Sequence, residues 1–287
     1  MFLFPPQLSR RTIARILRLR RTKRWLKHNP FFGPILIRAW VYLRDPVRRI
    51  RRVLDPAQPL SIVQIGSNDG KTVDPLHDLI VKNKNWRALF VEPVPFLFKR
   101  LCDNYGADPR FRFENVAVAD SAGNMPFYYI SEAAKRHIPN LPFWYDQLGS
   151  FKEGHIKKHL DEQVLPYVET VDIPAITLRE LLERNNVERI DFLHIDAEGY
   201  DWLILRQLDL ARYQPAAILV EHLHLDEKAK EEARAFLNDY HIRNLGADYF
   251  CVLRPSRKRK TAAVTRGRAY KPQPDAKVSR PEPRPNR

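Results

Sequence analysis

The feature that most constrains the fold is an alternation of apolar runs and helix-like segments between residues 61 and 253. The apolar runs have the length of buried strands, and the segments between them place apolar side chains at helical spacing. Strands that alternate with helices are typical of a mainly parallel sheet with helices on both faces, so we predict an α/β fold. The predicted strands are 61–66, 86–92, 111–119, 125–131, 167–176, 189–196, 216–222 and 247–253, and the predicted helices are 73–83, 93–105, 177–186, 200–210 and 226–241.

The two ends of the chain differ from this middle part in charge. Residues 1–60 hold 15 Lys and Arg against two acidic residues, a net charge of +13, and residues 254–287 carry a net +10 with six prolines. Because the whole chain is +15, residues 61–253 are net −8. We predict a basic helical N-terminal segment, a folded domain over residues 61–253 and a disordered tail. An acidic folded domain argues against a nucleic-acid groove, so nucleic acid is not an expected partner.

The N-terminal segment contains a one-sided apolar pattern over residues 31–54. Apolar side chains recur on one helical face and arginines on the other, and Pro46 either breaks this pattern or begins a second helix. A basic helix with aromatic residues on its apolar face can lie in an anionic membrane interface, or the same face can pack on the folded domain. Both interpretations stay open, and the basic residues 8–28 favour membrane contact. The run 31–43 is too short and too charged to span a bilayer.

The cysteine content and the N-terminus bear on the cellular compartment. Cys102 and Cys251 are the only cysteines, which provides no disulfide framework and fits a reducing environment. Arginines interrupt every apolar run near the start, so no secretory signal is evident. We expect a cytoplasmic protein that is peripheral at the inner membrane face if residues 1–60 bind anionic lipid.

The stretch VQIGSNDGKT (63–72) ends an apolar run on a glycine and closes on Gly-Lys-Thr. A phosphate-binding P-loop needs four residues between its first glycine and the Gly-Lys-Ser/Thr. Only three residues separate Gly66 from Gly70, and Asp69 places a negative charge where a phosphate would lie. The dinucleotide pattern G-x-G-x-x-G also fails, because Asn68 stands at its second glycine. What remains is a strand that ends in Gly-x-x-x-Gly and opens toward a helix.

An acidic residue that binds ribose is expected at the end of the next strand, about 20 residues further on. Glu92 stands 22 residues after Gly70, where the predicted strand 86–92 ends. A carboxylate there can accept hydrogen bonds from both ribose hydroxyls of a nucleoside. The glycine loop and Glu92 together indicate a nucleoside-bearing cofactor other than a triphosphate.

With these residues in place, the sequence resembles the FkbM-type family of class I S-adenosylmethionine-dependent methyltransferases. The resemblance covers residues 61–253, and its most specific part is the strand–helix junction IDFLHIDAEGYDWLIL (190–205). The other motifs, in the family's order, are QIGSNDG (64–70), VEP (91–93), ENVAVAD (114–120) and ILVEH (218–222). The resemblance implies a Rossmann-like, doubly wound, mostly parallel sheet of seven strands, with S-adenosylmethionine as cofactor.

The resemblance also implies a set of cofactor-binding residues. They are Gln64, Gly66, Ser67, Asn68, Gly70, Glu92, Asn115 and Asp196. The glycine loop would line the methionine and ribose, Glu92 would bind the ribose hydroxyls, Asn115 would border the adenine, and Asp196 would face the methionine moiety. These enzymes often carry an acidic residue where Gln64 stands. Asp196 is therefore expected to matter more for the ammonium group of the cofactor.

Transfer of a methyl group to a hydroxyl requires a group that removes the hydroxyl proton, such as a histidine or a carboxylate. We predict Asp196, His222 and His155 as catalytic residues, with His155 and His159 on one helical face because they stand four residues apart. A divalent cation held by Asp196, Glu198 and His222 is the alternative. No metal is predicted, since their spacing matches no recognised ligand pattern. Further candidates are Glu221 and His224.

Residues 132–166 interrupt the alternation with prolines, aromatic residues and histidines. We predict that this insertion forms a lid over the cofactor. Its aromatic and polar residues, Phe143, Trp144, Tyr145, Ser150 and Phe151, suit a saccharide, a glycolipid or a related metabolite as the hydroxyl-bearing acceptor. One alternative is a nucleic-acid methyltransferase that grips phosphates with its basic ends. The other is a non-catalytic membrane-surface binding module with the same fold.

Overall fold

The predicted α/β architecture is present as a seven-stranded sheet with helices on both faces. A computed structural model describes residues 45–72, 74–142, 145–151 and 154–255. The strands are β1 (Leu60–Ile65), β2 (Trp86–Val91), β3 (Phe111–Glu114), β4 (Ala117–Val118), β5 (Gly123–Ile130), β6 (Val168–Ile176), β7 (Phe192–Ile195), β8 (Ala217–Glu221), β9 (Tyr240–Asn244) and β10 (Asp248–Leu253). The α-helices are α1 (Pro46–Val53), α2 (His77–Lys82), α3 (Pro95–Tyr105), α4 (Ala133–His137), α5 (Leu178–Arg184), α6 (Asp201–Leu205) and α7 (Glu227–Phe236). Short 3-10 helices are Tyr145–Gln147, Ile156–Lys158 and Glu162–Tyr167.

The large sheet has the strand order β3-β2-β1-β7-β8-β10-β9. Neighbouring strands from β3 to β8 are parallel, whereas β10 is antiparallel to both β8 and β9. This sheet confirms the predicted Rossmann-like, doubly wound fold. The strand order reverses between β1 and β7, and open sheets of this type bind ligands outside the carboxyl ends of the strands at such a point. The topology therefore places a candidate site where β1, β2 and β7 end.

Both faces of the sheet are covered, which explains why its central strands are continuous apolar runs in the sequence. Ile62 of β1 packs with residues of α1, α2 and α3 on one face, and the next residue, Val63, packs with α5 and α6 on the other. Gln64 and His194 are two buried polar exceptions in neighbouring strands. They are register partners in β1 and β7, and only 2% and 6% of their surface is exposed. Burial of polar side chains costs free energy, so this pair is expected to serve a role other than packing.

The predicted strand 111–119 is divided between two sheets, which corrects the sequence-based expectation. β3 ends at Glu114, and β4 begins at Ala117 in a separate three-stranded sheet of order β4-β6-β5. Between them, Asn115 Nδ2 donates hydrogen bonds to the backbone oxygens of Glu92 and Pro93, 2.8 and 3.1 Å away. These bonds hold the chain at the end of β2 while it leaves the large sheet. An apolar pattern does not show such a change of sheet.

Three helix predictions need correction at their ends. The predicted helix 226–241 ends at Phe236, and Tyr240 begins β9, a strand that the sequence analysis missed. β9 is an edge strand in which only Tyr240 is buried, so it lacks the apolar alternation by which strands are found. The predicted helices 73–83 and 200–210 are also shorter, as α2 begins at His77 and α6 ends at Leu205.

The described end of the basic N-terminal segment packs on the domain. Pro46 begins α1, which confirms the alternative that it starts a helix. The Asp45 carboxylate accepts a hydrogen bond from the backbone N–H of Val47 at 2.9 Å. Ile50 and Leu54 are almost completely buried in the core that covers one face of the sheet. The apolar face of α1 is thus used for packing, which supports the domain-packing interpretation for this part of the segment.

The remaining predictions for the two ends concern residues 1–44 and 256–287, which lie outside the described residues, as do Phe143 and Trp144 of the insertion. Within the described part of the chain, none of the helices combines the length and the apolar character needed to cross a membrane.

Candidate active site

A cleft opens at the carboxyl ends of β1, β2 and β7, where the strand order reverses. The loops after these strands, β4 and part of the insertion form its walls. Six of the predicted cofactor-binding residues line it: Gln64, Gly66, Ser67, Asn68, Glu92 and Asp196. Gly70, Asn115, His155 and His222 are outside this lining. Asp146, Gly149 and Phe151 of the insertion are in it, so the insertion borders the cleft.

Gly66 allows β1 and β7 to end unusually close together. Its φ is +76°, and a Cβ atom added there would lie 1.7 Å from the backbone oxygen of Asp196. Only glycine tolerates both this conformation and this approach. The following residue, Ser67, accepts a hydrogen bond from Val91 N–H at 3.2 Å and donates one to the backbone oxygen of Gln64 at 3.1 Å. The loop is thereby fixed across the ends of β1 and β2.

The second half of the loop cannot serve as a P-loop, because its donors are already bound. Asp69 Oδ1 accepts hydrogen bonds from the backbone N–H groups of Lys71 and Thr72, at 2.9 and 2.7 Å. Asp69 Oδ2 accepts a third from the Thr72 hydroxyl at 2.6 Å. Gly70 (φ +67°) packs against α3, where an added Cβ would lie 2.4 Å from Leu101. The structure thus supports the rejection of a phosphate loop and assigns Gly70 a packing contact.

Glu92 ends β2 as a buried carboxylate with unused hydrogen-bonding capacity. Only 4% of its surface is exposed. Oε2 accepts a hydrogen bond from Asn68 N–H at 2.8 Å, and Oε1 accepts one from Val94 N–H at 2.9 Å. Each oxygen keeps a second lone pair. Burial raises the pKa of Glu92 to about 7. A ligand that donates hydrogen bonds to this carboxylate would favour its ionised form.

Asn115 contacts the backbone of Glu92, not its carboxylate. Because its side-chain amide donates to the backbone oxygens of Glu92 and Pro93, it holds the loop after β2. The cleft wall at this level consists of the next three residues, 116–118. Contact between the Asn115 side chain and the adenine therefore stays a prediction.

The cleft also contains a carboxylate that the sequence analysis did not single out. Asp74 lines the cleft beside Gln64, whose side chain favours the ionised form of the Asp74 carboxylate. Asp74 Oδ1 accepts a further hydrogen bond from Leu76 N–H at 2.8 Å. Within the described part of the chain, Asp74 Oδ2 and Gln64 Oε1 are buried without a hydrogen-bond partner. Burial raises the pKa of Asp74 to about 6. Two such orphaned acceptors indicate a place for a ligand that donates hydrogen bonds.

The loop after β7 is shaped by Asp201, the first residue of α6. The carboxylate of this fully buried residue accepts hydrogen bonds from the backbone N–H groups of Ala197 and Gly199, each at 2.9 Å. The turn places Glu198 at φ +47°, a conformation that residues other than glycine seldom adopt. Burial in the cleft and the Asp201 carboxylate raise the pKa of Asp196 well above its ordinary value. The IDAEGYD sequence therefore builds a rigid turn that presents two carboxylates.

Glu198 contacts a group of histidines, which we call the histidine cluster: His155, His159, His224 and Glu198. Glu198 Oε2 lies 3.1 Å from His155 Nε2 and 3.3 Å from His224 Nε2. The ring centroids of His155 and His159 are 4.8 Å apart, and the two residues flank the 3-10 helix Ile156–Lys158 rather than sharing one face of a helix. Both also lie close to His224, at 5.2 and 5.1 Å. Nitrogen and oxygen ligands for a cation therefore converge next to the cleft.

His222 does not join this cluster. Its ring stacks on Tyr249 with a centroid distance of 3.8 Å. The combination of Asp196, Glu198 and His222 that the sequence suggested as a cation site was wrong. Among the described residues, the groups of potential ligands combine Glu198 with His224 and Glu221, not with His222. The sequence could not distinguish two histidines that stand two residues apart beyond the end of β8.

Comparison with known proteins identifies the family. A sequence model of the methyltransferase FkbM domain matches residues 64–249, which is more than half of the chain. The chain belongs to the FkbM methyltransferase family. It is therefore an S-adenosylmethionine-dependent methyltransferase, as the sequence motifs predicted. No curated protein sequence matches this FkbM methyltransferase.

The chain is also similar to several solved structures. One is the Aeropyrum pernix fibrillarin in complex with natively bound S-adenosyl-L-methionine, with 12% identity, coverage of 69% of this chain and 67% of that chain, and a TM-score of 0.35. Another is precorrin-6y C5,15-methyltransferase from Geobacter metallireducens, with 12% identity, coverage of 74% and 86%, and a TM-score of 0.33. The family assignment rests on the sequence match.

The residues of the cleft fit S-adenosylmethionine. The cofactor carries a cationic ammonium group, a cationic sulfonium and two ribose hydroxyls. Asp74, Glu92 and Asp196 line the cleft, and burial raises the pKa of each. Burial makes the ionised form of each carboxylate costly in free energy when no ligand is bound. A bound cation would stabilise that ionised form. A triphosphate is negatively charged, so the same carboxylates would repel it.

Proposed function

We propose that this FkbM methyltransferase transfers a methyl group to a hydroxyl of a saccharide, a glycolipid or a related metabolite. The observation that supports the proposal is the convergence of proton-accepting groups at the cleft. Asp196 and Glu198 line the cleft, and His155 contacts Glu198 at 3.1 Å. A hydroxyl must lose its proton when it is methylated, and imidazole and carboxylate groups assist that loss.

The cofactor-binding part of the proposal assigns one role to each side of the cleft. When bound, S-adenosylmethionine supplies an electrophilic methyl group on a sulfonium. Glu92 accepts hydrogen bonds from the ribose hydroxyls through its unused lone pairs, and Gly66 allows the ends of β1 and β7 to lie close together at the floor of the cleft. Asp74, in place of the Asp196 expected from the sequence, is the carboxylate that binds the ammonium group. Its orphaned Oδ2 and its position beside Gln64 support this role, because Gln64 stands where an acidic residue is often found.

The acceptor side of the cleft is aromatic, which supports a saccharide over a small charged acceptor. Phe127, Phe151 and Tyr200 all line the cleft. The Phe151 ring lies 5.1 Å from Phe127 and 4.8 Å from Tyr200, between ring centroids. Such rings offer flat apolar surfaces, and the nearby histidines and carboxylates offer hydrogen bonds. A sugar presents the same combination of an apolar ring face and hydroxyl groups.

An activity measurement tests the proposal. The purified full chain is incubated with S-adenosylmethionine and, separately, with a panel of monosaccharides and oligosaccharides, glycolipids or RNA, and S-adenosylhomocysteine formation is followed. We expect product with a member of the saccharide or glycolipid panels and none with RNA. Product with RNA alone would establish the nucleic-acid alternative. Cofactor binding without turnover on any panel would favour the non-catalytic module.

We also propose that residues 1–44 attach the enzyme to an anionic membrane surface. The supporting observation is their composition, which combines many basic residues with Trp25, Phe31, Phe32 and Trp40. Flotation with phosphatidylserine vesicles tests this: the full chain should float and the chain that lacks residues 1–44 should not. Equal flotation of both chains would contradict the proposal.

A further inference from the structure

The histidine cluster is assembled by three separate parts of the fold. His155 and His159 flank the 3-10 helix Ile156–Lys158 of the insertion, Glu198 belongs to the turn after β7, and His224 follows β8. One ring nitrogen from each histidine lies within 4.8 Å of the other two. Glu198 Oε2 is 3.1 Å from His155 and 3.3 Å from His224. The convergence is therefore a property of the tertiary structure, not of one helix or loop.

The charge of the cluster favours a bound cation. Three imidazoles at this distance repel one another when they are protonated, and the single carboxylate of Glu198 neutralises only one positive charge. Neutral imidazoles that converge with a carboxylate are the donor set that binds divalent transition-metal ions. His155 is only 5% exposed, so its ring is largely shielded from bulk water.

The distances agree with a coordination polyhedron. In a tetrahedral site with bonds of about 2.0–2.1 Å, neighbouring ligand atoms are about 3.3 Å apart. The two contacts of Glu198 Oε2, at 3.1 and 3.3 Å, already match this edge. The nitrogens of the three histidines are at most 4.8 Å apart, about 1.5 Å more than such an edge, which side-chain rotation can remove.

Two further features support the cluster as a ligand site. The turn that carries Glu198 is held in a left-handed conformation by Asp201, and backbone strain of this kind is concentrated at functional sites. In addition, Glu221 is 93% buried, and its Oε2 has no hydrogen-bond partner in the described part of the chain. Its Oε1 lies 3.7 Å from His224 Nε2. Glu198 and Glu221 therefore offer carboxylate oxygens to the same nitrogen of His224, and the three residues form a second group of potential cation ligands.

We propose that His155, His159, His224 and Glu198 bind a divalent transition-metal ion beside the methyl-donor cleft, with Glu221 as a further carboxylate next to His224. Imidazole ligands select ions such as Zn²⁺ over Mg²⁺, which prefers oxygen ligands. The role of the ion rests on the proposed function. The acceptor oxygen would coordinate as a fifth ligand, which lowers the pKa of its hydroxyl. The O–H bond breaks, the proton leaves to solvent, and the oxygen retains the electron pair for the new O–CH₃ bond. The S–CH₃ bond of the donor breaks at the same time, and its electron pair stays on sulfur in S-adenosylhomocysteine.

Metal binding is tested without cofactor or acceptor, so that its failure is distinguishable from failure of the proposed methyl transfer. The full chain is stripped with a chelator, and Zn²⁺ or Mg²⁺ is titrated by calorimetry at pH 7.5, with the bound metal counted after gel filtration. We expect one Zn²⁺ per chain and no Mg²⁺ binding. Binding of Co²⁺ should produce visible absorption typical of a four- or five-coordinate ion with imidazole ligands.

Substitutions locate the site. His159→Gln and His224→Gln should each weaken Zn²⁺ binding by more than the roughly 10- to 100-fold that loss of an outer carboxylate costs. The exposed His241→Gln should bind as the unaltered chain does. Calorimetry with S-adenosylmethionine on the same variants shows that the fold and the donor site persist. Absence of Zn²⁺ binding, preference for Mg²⁺, or unchanged affinity in both cluster variants would overturn the proposal.

Discussion

Replacing Glu92 by glutamine tests the donor site most directly, because it keeps the shape of the side chain and removes the charge. In the ligand-free protein this carboxylate is 4% exposed, and burial raises its pKa from 4.5 to about 7. Hydrogen bonds to a charged group contribute about 1.5–3 kcal/mol. Loss of the charged acceptor should therefore weaken S-adenosylmethionine binding about 10- to 100-fold, since 1.4 kcal/mol corresponds to a factor of ten.

Proton release provides a second readout of the same substitution. At pH 7 Glu92 is about half protonated in the ligand-free protein, because its pKa is about 7. Ribose hydroxyls that donate to Glu92 favour its ionised form, so cofactor binding should release about half a proton from this group. Calorimetry at pH 7 in buffers of different ionisation enthalpy measures the number of protons. Glu92→Gln should release about half a proton less than the unaltered chain.

The exposed Glu169 provides a matched control, since its carboxylate contacts the Tyr129 hydroxyl away from the cleft. Glu169→Gln should change neither the affinity nor the proton release. If Glu92→Gln binds S-adenosylmethionine with unchanged affinity and unchanged proton release, then Glu92 does not bind the ribose and the placement of the donor in this cleft is wrong.

Three further perturbations follow from the cleft. Glu92 by itself should cost the ligand-free protein up to about 3 kcal/mol of stability as pH rises from 4.5 to 7, because its pKa is raised in the folded state; denaturant unfolding of Glu92→Gln should show a smaller loss over this range. Asp74→Asn should weaken S-adenosylmethionine binding about tenfold, because the ammonium group loses its carboxylate partner. The substitution should not lower the melting temperature at pH 8, since burial raises the pKa of Asp74 to about 6. Unchanged affinity by calorimetry would show that Asp74 is not part of the donor site. Gly66→Ala should abolish cofactor binding and lower the melting temperature far more than Gly106→Ala, because both glycines have positive φ but only Gly66 has a backbone atom at 1.7 Å from the added Cβ; equal melting temperatures would contradict this account.

The parts of the site that lie close together in sequence were predictable. Gly66 and Glu92 could be found from the glycine loop and the strand that follows, because parallel neighbours bring the ends of β1 and β2 to one edge. Asp74 could not, since nothing in the segment 73–83 distinguishes one acidic residue from another. Only the position of Asp74 against Gln64, with an orphaned oxygen toward the cleft, marks it as a ligand-binding residue.

The edge of the sheet shows the same limit. β9 was missed because an edge strand with one buried residue carries no apolar alternation, and its pairing with β10 provides the stabilisation that the local sequence lacks. The division of the segment 111–119 between two sheets depends on the hydrogen bonds of Asn115 to the loop after β2. Neither event leaves a signal within the segment concerned.

The sequence by itself determined the fold class, the methyltransferase family and the position of the glycine loop, because these depend on apolar periodicity and on motifs that are local in the chain. The tertiary structure alone decided which polar groups meet. It brought His155 of the insertion to Glu198 and His224, which stand 43 and 69 residues further on, and it directed His222 onto Tyr249 instead. Contacts between distant residues depend on the register and crossing of β7 and β8, which no local pattern encodes.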